Sequence, residues 1–119
     1  MLARYIQRGH SIDYRPTSAV AAGDVVVQGN LVGIARLDIP ANTLGAISVV
    51  GVYEIAKAAE SVTVGAVLYW NATDKNVTTT ATGNQYIGKA VTAAESTDDT
   101  VCVQLNAPYV AVTGGTTAL

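Results

Sequence analysis

Apolar residues along this chain fall in short alternating or β-branched runs, broken at close intervals by Gly, Pro, Asn or Asp. The densest stretch is residues 65–91. Val67, Leu68, Tyr69 and Trp70 are strand formers, and residues 71–76 are rich in turn formers. Residues 77–80 are β-branched throughout, and an apolar run resumes at 86–91. The stretch reads as strand, turn, strand, loop, strand. Upstream, residues 24–28 and 31–35 form a hairpin around Gly29-Asn30, where positive φ costs little. The cleanest alternation places Ile47, Val49, Gly51, Tyr53 and Ile55 on one face, with Ala46, Ser48, Val50, Val52 and Glu54 on the other. That predicts one long strand, with Gly51 marking a bulge or a close backbone approach. Residues 100–105 form the last strand, after a polar turn at 92–99.

Residues 3–7 and 11–15 are extended and tyrosine-bearing, separated by Gly9 and His10 and closed by Pro16. They either pair with the main sheet or form an arm. Residues 56–61 have helical propensity but are too few for a stable helix. A faint internal echo is visible. Residues 20–26 resemble 62–68, and residues 31–35 resemble 86–90. Two related hairpins would produce it. Eight or nine short strands without a long helix predict an all-β fold, a small compact β-sandwich or partly open barrel. The expected organisation is an N-terminal arm over 1–16, a single β domain over 17–106 and a C-terminal tail over 107–119.

Composition adds a reason to expect association. The chain has 119 residues, enough for one domain. Charged residues make up 13%, against about a quarter in a typical soluble domain. With half of the residues apolar and no Phe, small Val, Ala, Ile and Leu side chains must cover part of the outside. Some of that surface is expected to be buried between subunits. The net charge is −2 and no basic block exists, which argues against nucleic acid as a partner. The one bias is Arg4, Arg8 and Arg15 near the N-terminus, opposed only by Asp13. Met1 to Gly9 lacks the apolar core of a signal peptide, and no run approaches the roughly 20 residues of a membrane span. Synthesis in a cytoplasm and no membrane partner are therefore expected.

No catalytic set emerges. Gly83 to Ala90 has the glycine and lysine spacing of a phosphate-binding loop, but Ala90 replaces the hydroxyl residue that would ligate Mg²⁺. β-formers also occupy the loop itself. His10 is the sole histidine and Cys102 the sole cysteine, so neither a zinc set nor a disulfide framework is visible. Cys102 alternates with Val101 and Val103 and reads as a packed side chain. No enzyme activity and no cofactor are expected. Trp70 and Tyr69 could form a stacking patch for a carbohydrate or a host surface. A small enzyme with residues converging between subunits is a third reading, disfavoured by the low charge.

The chain resembles the bacteriophage capsid decoration, or cement, proteins, a family sometimes mislabelled recombinase-like. The resemblance is carried by Tyr5 and Gly9 with Ile12-Asp13-Tyr14, by Ala22-Gly23-Asp24-Val25-Val26 and by Leu31-Val32-Gly33-Ile34-Ala35. It continues through Gly45, Val49-Val50-Gly51-Val52-Tyr53-Glu54, Val67-Leu68-Tyr69-Trp70 and Val77-Thr78. Gly83-Asn84, Ile87-Gly88 and Val101-Cys102-Val103-Gln104-Leu105 complete it. Two turn positions depart from the family pattern, Ala66 for Asp and Asn42 for Gly, and the tail after Asn106 runs past the usual end. The resemblance implies a homotrimer on the exterior of the virion, bridging major capsid protein subunits, made in a bacterial host. On that reading Arg4, Tyr5, Arg8, Tyr14 and Arg15, on an arm over 2–16, are the expected capsid-contact residues.

Overall fold

The computed structural model describes residues 2–108. Residues 109–119, most of the expected tail, lie outside the described residues. Among the described residues all regular structure is β. The strands are β1 (Ser11–Tyr14), β2 (Val25–Gln28), β3 (Leu31–Ala35), β4 (Gly45–Ser48), β5 (Val52–Ala56), β6 (Val67–Asn71), β7 (Asn76–Thr78), β8 (Gln85–Ala90) and β9 (Thr100–Leu105). They form two antiparallel sheets, a four-stranded one ordered β1-β4-β3-β2 and a five-stranded one ordered β5-β9-β8-β6-β7. Neither is closed into a barrel. Contacts group the chain into two compact units, Met1–Gly51 and a second beginning at Val52. The division falls within the stretch 17–106 that the sequence suggests as one domain.

The long strand expected across residues 46–55 is two strands in two sheets. Gly51 adopts φ 118°, a conformation that L side chains rarely adopt. The chain turns there instead of bulging, so β4 pairs with β1 and β3 while β5 pairs with β9. The alternation survives the break. Ile47, Val49 and Ile55 are buried, and Ala46, Val50, Val52 and Glu54 are exposed. Ser48 is the exception, a polar side chain that is buried.

In the first unit, Val26, Ala35, Ile39, Ile47 and Val49 form a core cluster. Ile12, Tyr14 and Val20 pack on it, half-buried. Residues 11–14 therefore take the sheet-pairing alternative. Ser11 to Tyr14 face Ser48 to Gly45 across β4, and the N-terminal stretch without strand pairing ends before Ser11. The Gly29-Asn30 turn joins β2 and β3 as expected, with Gly29 at φ 59°. In the second unit Leu68, Ile87 and Val103 are fully buried and Val77 nearly so. Residues 56–61 form no helix. They hold the end of β5, a single parallel bridge from Lys57 to Val77, and a bend. The Ala58 N–H donates to the Val77 carbonyl at 2.8 Å.

Candidate functional site

Two regions carry many exposed side chains and are the candidates for a site. The first is residues 2–8, which have no strand assignment and are exposed throughout. Here Leu2, Tyr5 and Ile6 are 108%, 78% and 70% exposed. Arg4 and Arg8 flank Tyr5 and Ile6, so the segment presents large apolar and cationic side chains together. The five expected contact residues divide accordingly. Arg4, Tyr5 and Arg8 stand on this segment, whereas Tyr14 packs on the core of the first unit. Arg15 is exposed, and its guanidinium donates to the Asn42 carbonyl at 2.8 Å.

The second region is the lobe formed by residues 71–85, which contains β7. Its turn is built by Asn71. The Asn71 Oδ1 accepts from the Thr73 and Asp74 N–H groups, both at 3.0 Å, and its Nδ2 donates to the Asp74 carboxylate at 3.2 Å. Lys75 adopts φ 54° to close the turn. The lobe is tied to the bend after β5 by Glu60, whose carboxylate accepts from the Thr78 hydroxyl at 3.1 Å and from the Thr79 N–H. Burial pushes the Glu60 carboxyl up, but the hydrogen bonds from Thr79 and Thr78 and the positive field of Lys57 outweigh it. Glu60 therefore titrates below its ordinary value. An open depression of about 460 Å³ lies on this lobe, lined mainly by Asn, Thr and Asp side chains.

Trp70 and Tyr69 do not line that depression. Trp70 is half-buried and faces Val77 and Gln85 within the sheet. Tyr69 meets Tyr86 edge-on, with ring centroids 6.1 Å apart at 70°, and the Tyr86 hydroxyl donates to the Ala107 carbonyl. Tyr69 thus has an aromatic neighbour within the sheet, and both Tyr69 and Trp70 are half-buried. The phosphate-loop spacing maps onto a turn at Gly83 followed by strand β8. No helix N-terminus stands there to receive a phosphate. His10 is exposed, and its carbonyl accepts from the Val49 N–H at 2.9 Å. Cys102 is half-buried, between buried Val101 and Val103.

Lys57 and Glu60 were not legible as important from the sequence. Lys57 is 8% exposed. Its Nζ donates to the Glu95 and Asp98 carbonyls at 2.8 and 3.1 Å. In sequence both residues sit in the short stretch 56–61, whose local signal is helical propensity. Their partners lie far along the chain and could be found only from the strand pairing.

The described residues thus form two antiparallel sheets and an exposed N-terminal segment that carries large apolar and cationic side chains. The chain belongs to the phage cement proteins: the family's model matches residues 6–105. Membership carries a role in decorating and stabilising a phage capsid. No curated protein and no solved structure matches the chain.

Proposed function

We propose that the protein is a non-enzymatic cement, a homotrimer that sits on the exterior of the phage head and bridges neighbouring major capsid protein subunits. The observation that carries this reading is residues 2–8, exposed along their whole length and bearing Leu2 ahead of Arg4, with Tyr5 and Ile6 between Arg4 and Arg8. An extended segment of this kind can add a strand to a sheet edge of the shell protein. Tyr5 serves as an aromatic anchor, and Arg4 and Arg8 pair with acidic groups on the shell. Three such segments on one trimer would bind about 10²–10⁴ more tightly than one alone. A ligand that binds only the assembled shell stabilises it by mass action, with no covalent bond.

The experiment is deletion of residues 1–8. This cut is preferred to removal of 1–16, because β1 pairs with β4 and belongs to the first unit's sheet. The shortened chain should keep its β spectrum and its solution mass by light scattering, yet lose binding to expanded empty shells by about a hundredfold or more. Undiminished binding would sink the arm, and a monomer at every concentration would sink the preformed trimer.

A further inference from the structure

The two units repeat one another. In strand order β1-β4-β3-β2 corresponds to β5-β9-β8-β6, and the correspondence extends to individual hydrogen bonds. Val20 and Ile39 exchange backbone hydrogen bonds, as do Val62 and Ala94. The Gly23 N–H donates to the Ala35 carbonyl and the Gly65 N–H to the Ala90 carbonyl. Asp24 bonds back to Ala21 as Ala66 does to Thr63, and Ala35 donates to Asp24 as Ala90 does to Ala66. Gly23 and Gly65 share positive φ, 91° and 82°. Register agrees as well: Val26↔Gly33 and Ala35↔Ile47 match Leu68↔Gly88 and Ala90↔Val103. The echo between residues 20–35 and 62–90 in the sequence is therefore structural, and it includes the edge strand and the last strand of each sheet.

The copies part at one place. After Leu68↔Gly88 the pairing slips by a bulge, and Tyr69 faces Tyr86. Where the first copy turns on Gly29-Asn30, the second carries the lobe of residues 71–85. The depression is lined almost wholly by that lobe, with Ala58 the one contribution from outside it. A tandem unit that closes this connection with two residues does not need the lobe to make its turn.

We propose that this lobe is a binding site for a neutral sugar. The lining brings together Asn71, Thr73, Asp74, Thr80, Thr82 and Asn84, with no cationic and no aromatic side chain. Asp74 and the lack of a cation argue against a phosphate, the polar lining argues against an apolar ligand, and the amides and hydroxyls match sugar hydroxyls that both donate and accept. The rim is preset. Asn71 is held by Asp74 and its turn, and the Asn84 Nδ2 donates to the Thr80 carbonyl at 3.0 Å. Little ordering then opposes binding. The hydroxyls of Thr73, Thr80 and Thr82 have no partner among the described residues, which leaves them for a ligand. A volume of about 460 Å³ suits one or two sugar rings.

The test is an NMR titration of the full chain with maltohexaose, cellohexaose and chitohexaose, beside blocked dipeptides and inorganic phosphate. Saturable shifts confined to residues 71–84 with at least one oligosaccharide are expected. They should weaken about tenfold or more in Asp74→Ala and in Thr80→Val/Thr82→Val. Both variants alter exposed side chains and should keep the wild-type Tm. Silence with all three sugars overturns the site, as does a response to the dipeptides or phosphate alone. So do sugar shifts that both variants leave intact. The same variants should bind empty shells like the wild type, so failure here is separable from failure of the cement reading.

Discussion

Arg15 and Lys57 hold matching places in the two units, yet they do different work. Each follows the edge strand of its sheet, β1 or β5, and each sends its cation to the turn before the inner strand, β4 or β9. Arg15 does so from the surface, giving one hydrogen bond to the Asn42 carbonyl. Lys57 does so from the interior, spanning the Glu95 and Asp98 carbonyls with one ammonium. The turns differ in kind as well. In the first, Asn42 adopts φ 59° and the Thr43 N–H donates to the Pro40 carbonyl. In the second, the Asp98 carboxylate accepts from the Glu95 N–H at 2.8 Å. One topology is thus pinned once by a left-handed residue and once by a buried cation. The second unit concentrates more of its polar bonding in side chains, so its stability should be the more fragile to substitution.

The glycines of the two inner strands test that difference most severely. A Cβ on Gly88 would lie 2.0 Å from the Gln104 carbonyl oxygen, whereas one on Gly33 would lie 2.5 Å from the Ile47 Cδ1. Backbone of β9 cannot retreat without breaking the ladder, but an isoleucine can shift its outer atoms. Gly88→Ala should cost about 3 kcal/mol or more and Gly33→Ala about 1–2 kcal/mol. Urea unfolding of both variants measures the gap, and equal losses would mean that the β8–β9 spacing is as adaptable as the Ile47 side chain. Next comes Lys57→Met, which keeps much of the volume and leaves two carbonyls without their charged donor. About 2 kcal/mol should be lost. Hydrogen exchange should rise first at the Asp98 amide, which closes the same turn.

Most of the strand inventory follows from pattern. Six strands, β2, β3 and β6 to β9, coincide with apolar-alternating or β-branched runs, because burial on one face of a sheet imposes period two. The exceptions have local causes. The division at Gly51 depends on a φ value that the alternation of Val49 to Tyr53 cannot disclose. Strand β1 had a 4-residue pattern compatible with a sheet or an arm, and only its pairing with β4 decides. The repeat was visible where Gly23 and Gly65 impose the same backbone, but not over β4 and β9, where Gly45-Ala46-Ile47 and Val101-Cys102-Val103 share shape without identity. Of the expected contact residues, Tyr14 and Arg15 have partners supplied by residues distant in sequence. Local composition holds no record of such partners.

Glu60 supplies a smaller effect with a pH signature. Its carboxylate accepts from Thr78 and Thr79 and titrates below its ordinary value. The unfolded chain therefore binds the proton more readily in the window below the usual glutamate value of about 4.3. The contribution is complete above that window and is lost as pH falls through the depressed folded value. Glu60→Gln should cost about 1 kcal/mol or less at neutral pH, since water screens the half-buried site. The difference from the wild type should shrink toward pH 3. A difference constant from pH 7 to pH 3 would show that the carboxylate charge contributes nothing to holding the lobe.

The smallest effect returns to the residue that opened the comparison. Arg15→Met removes one exposed, charge-assisted hydrogen bond to the Asn42 carbonyl, and water can replace it. The loss in stability should be about 0.5 kcal/mol or less, several times below that of Lys57→Met. The same variant also separates two roles for Arg15. If its guanidinium serves only the turn, affinity for empty shells should change no more than stability does. If it also meets an acidic group on the shell, affinity should fall about tenfold while the Tm stays within a degree or two, and the fall should diminish in high salt. Arg8→Met is the control, because Arg8 stands on the exposed segment and is expected to lose affinity with no change in Tm. Equal behaviour of the two variants would extend the contact surface from residues 2–8 to the end of β1. Divergent behaviour would confine it to the segment before Gly9.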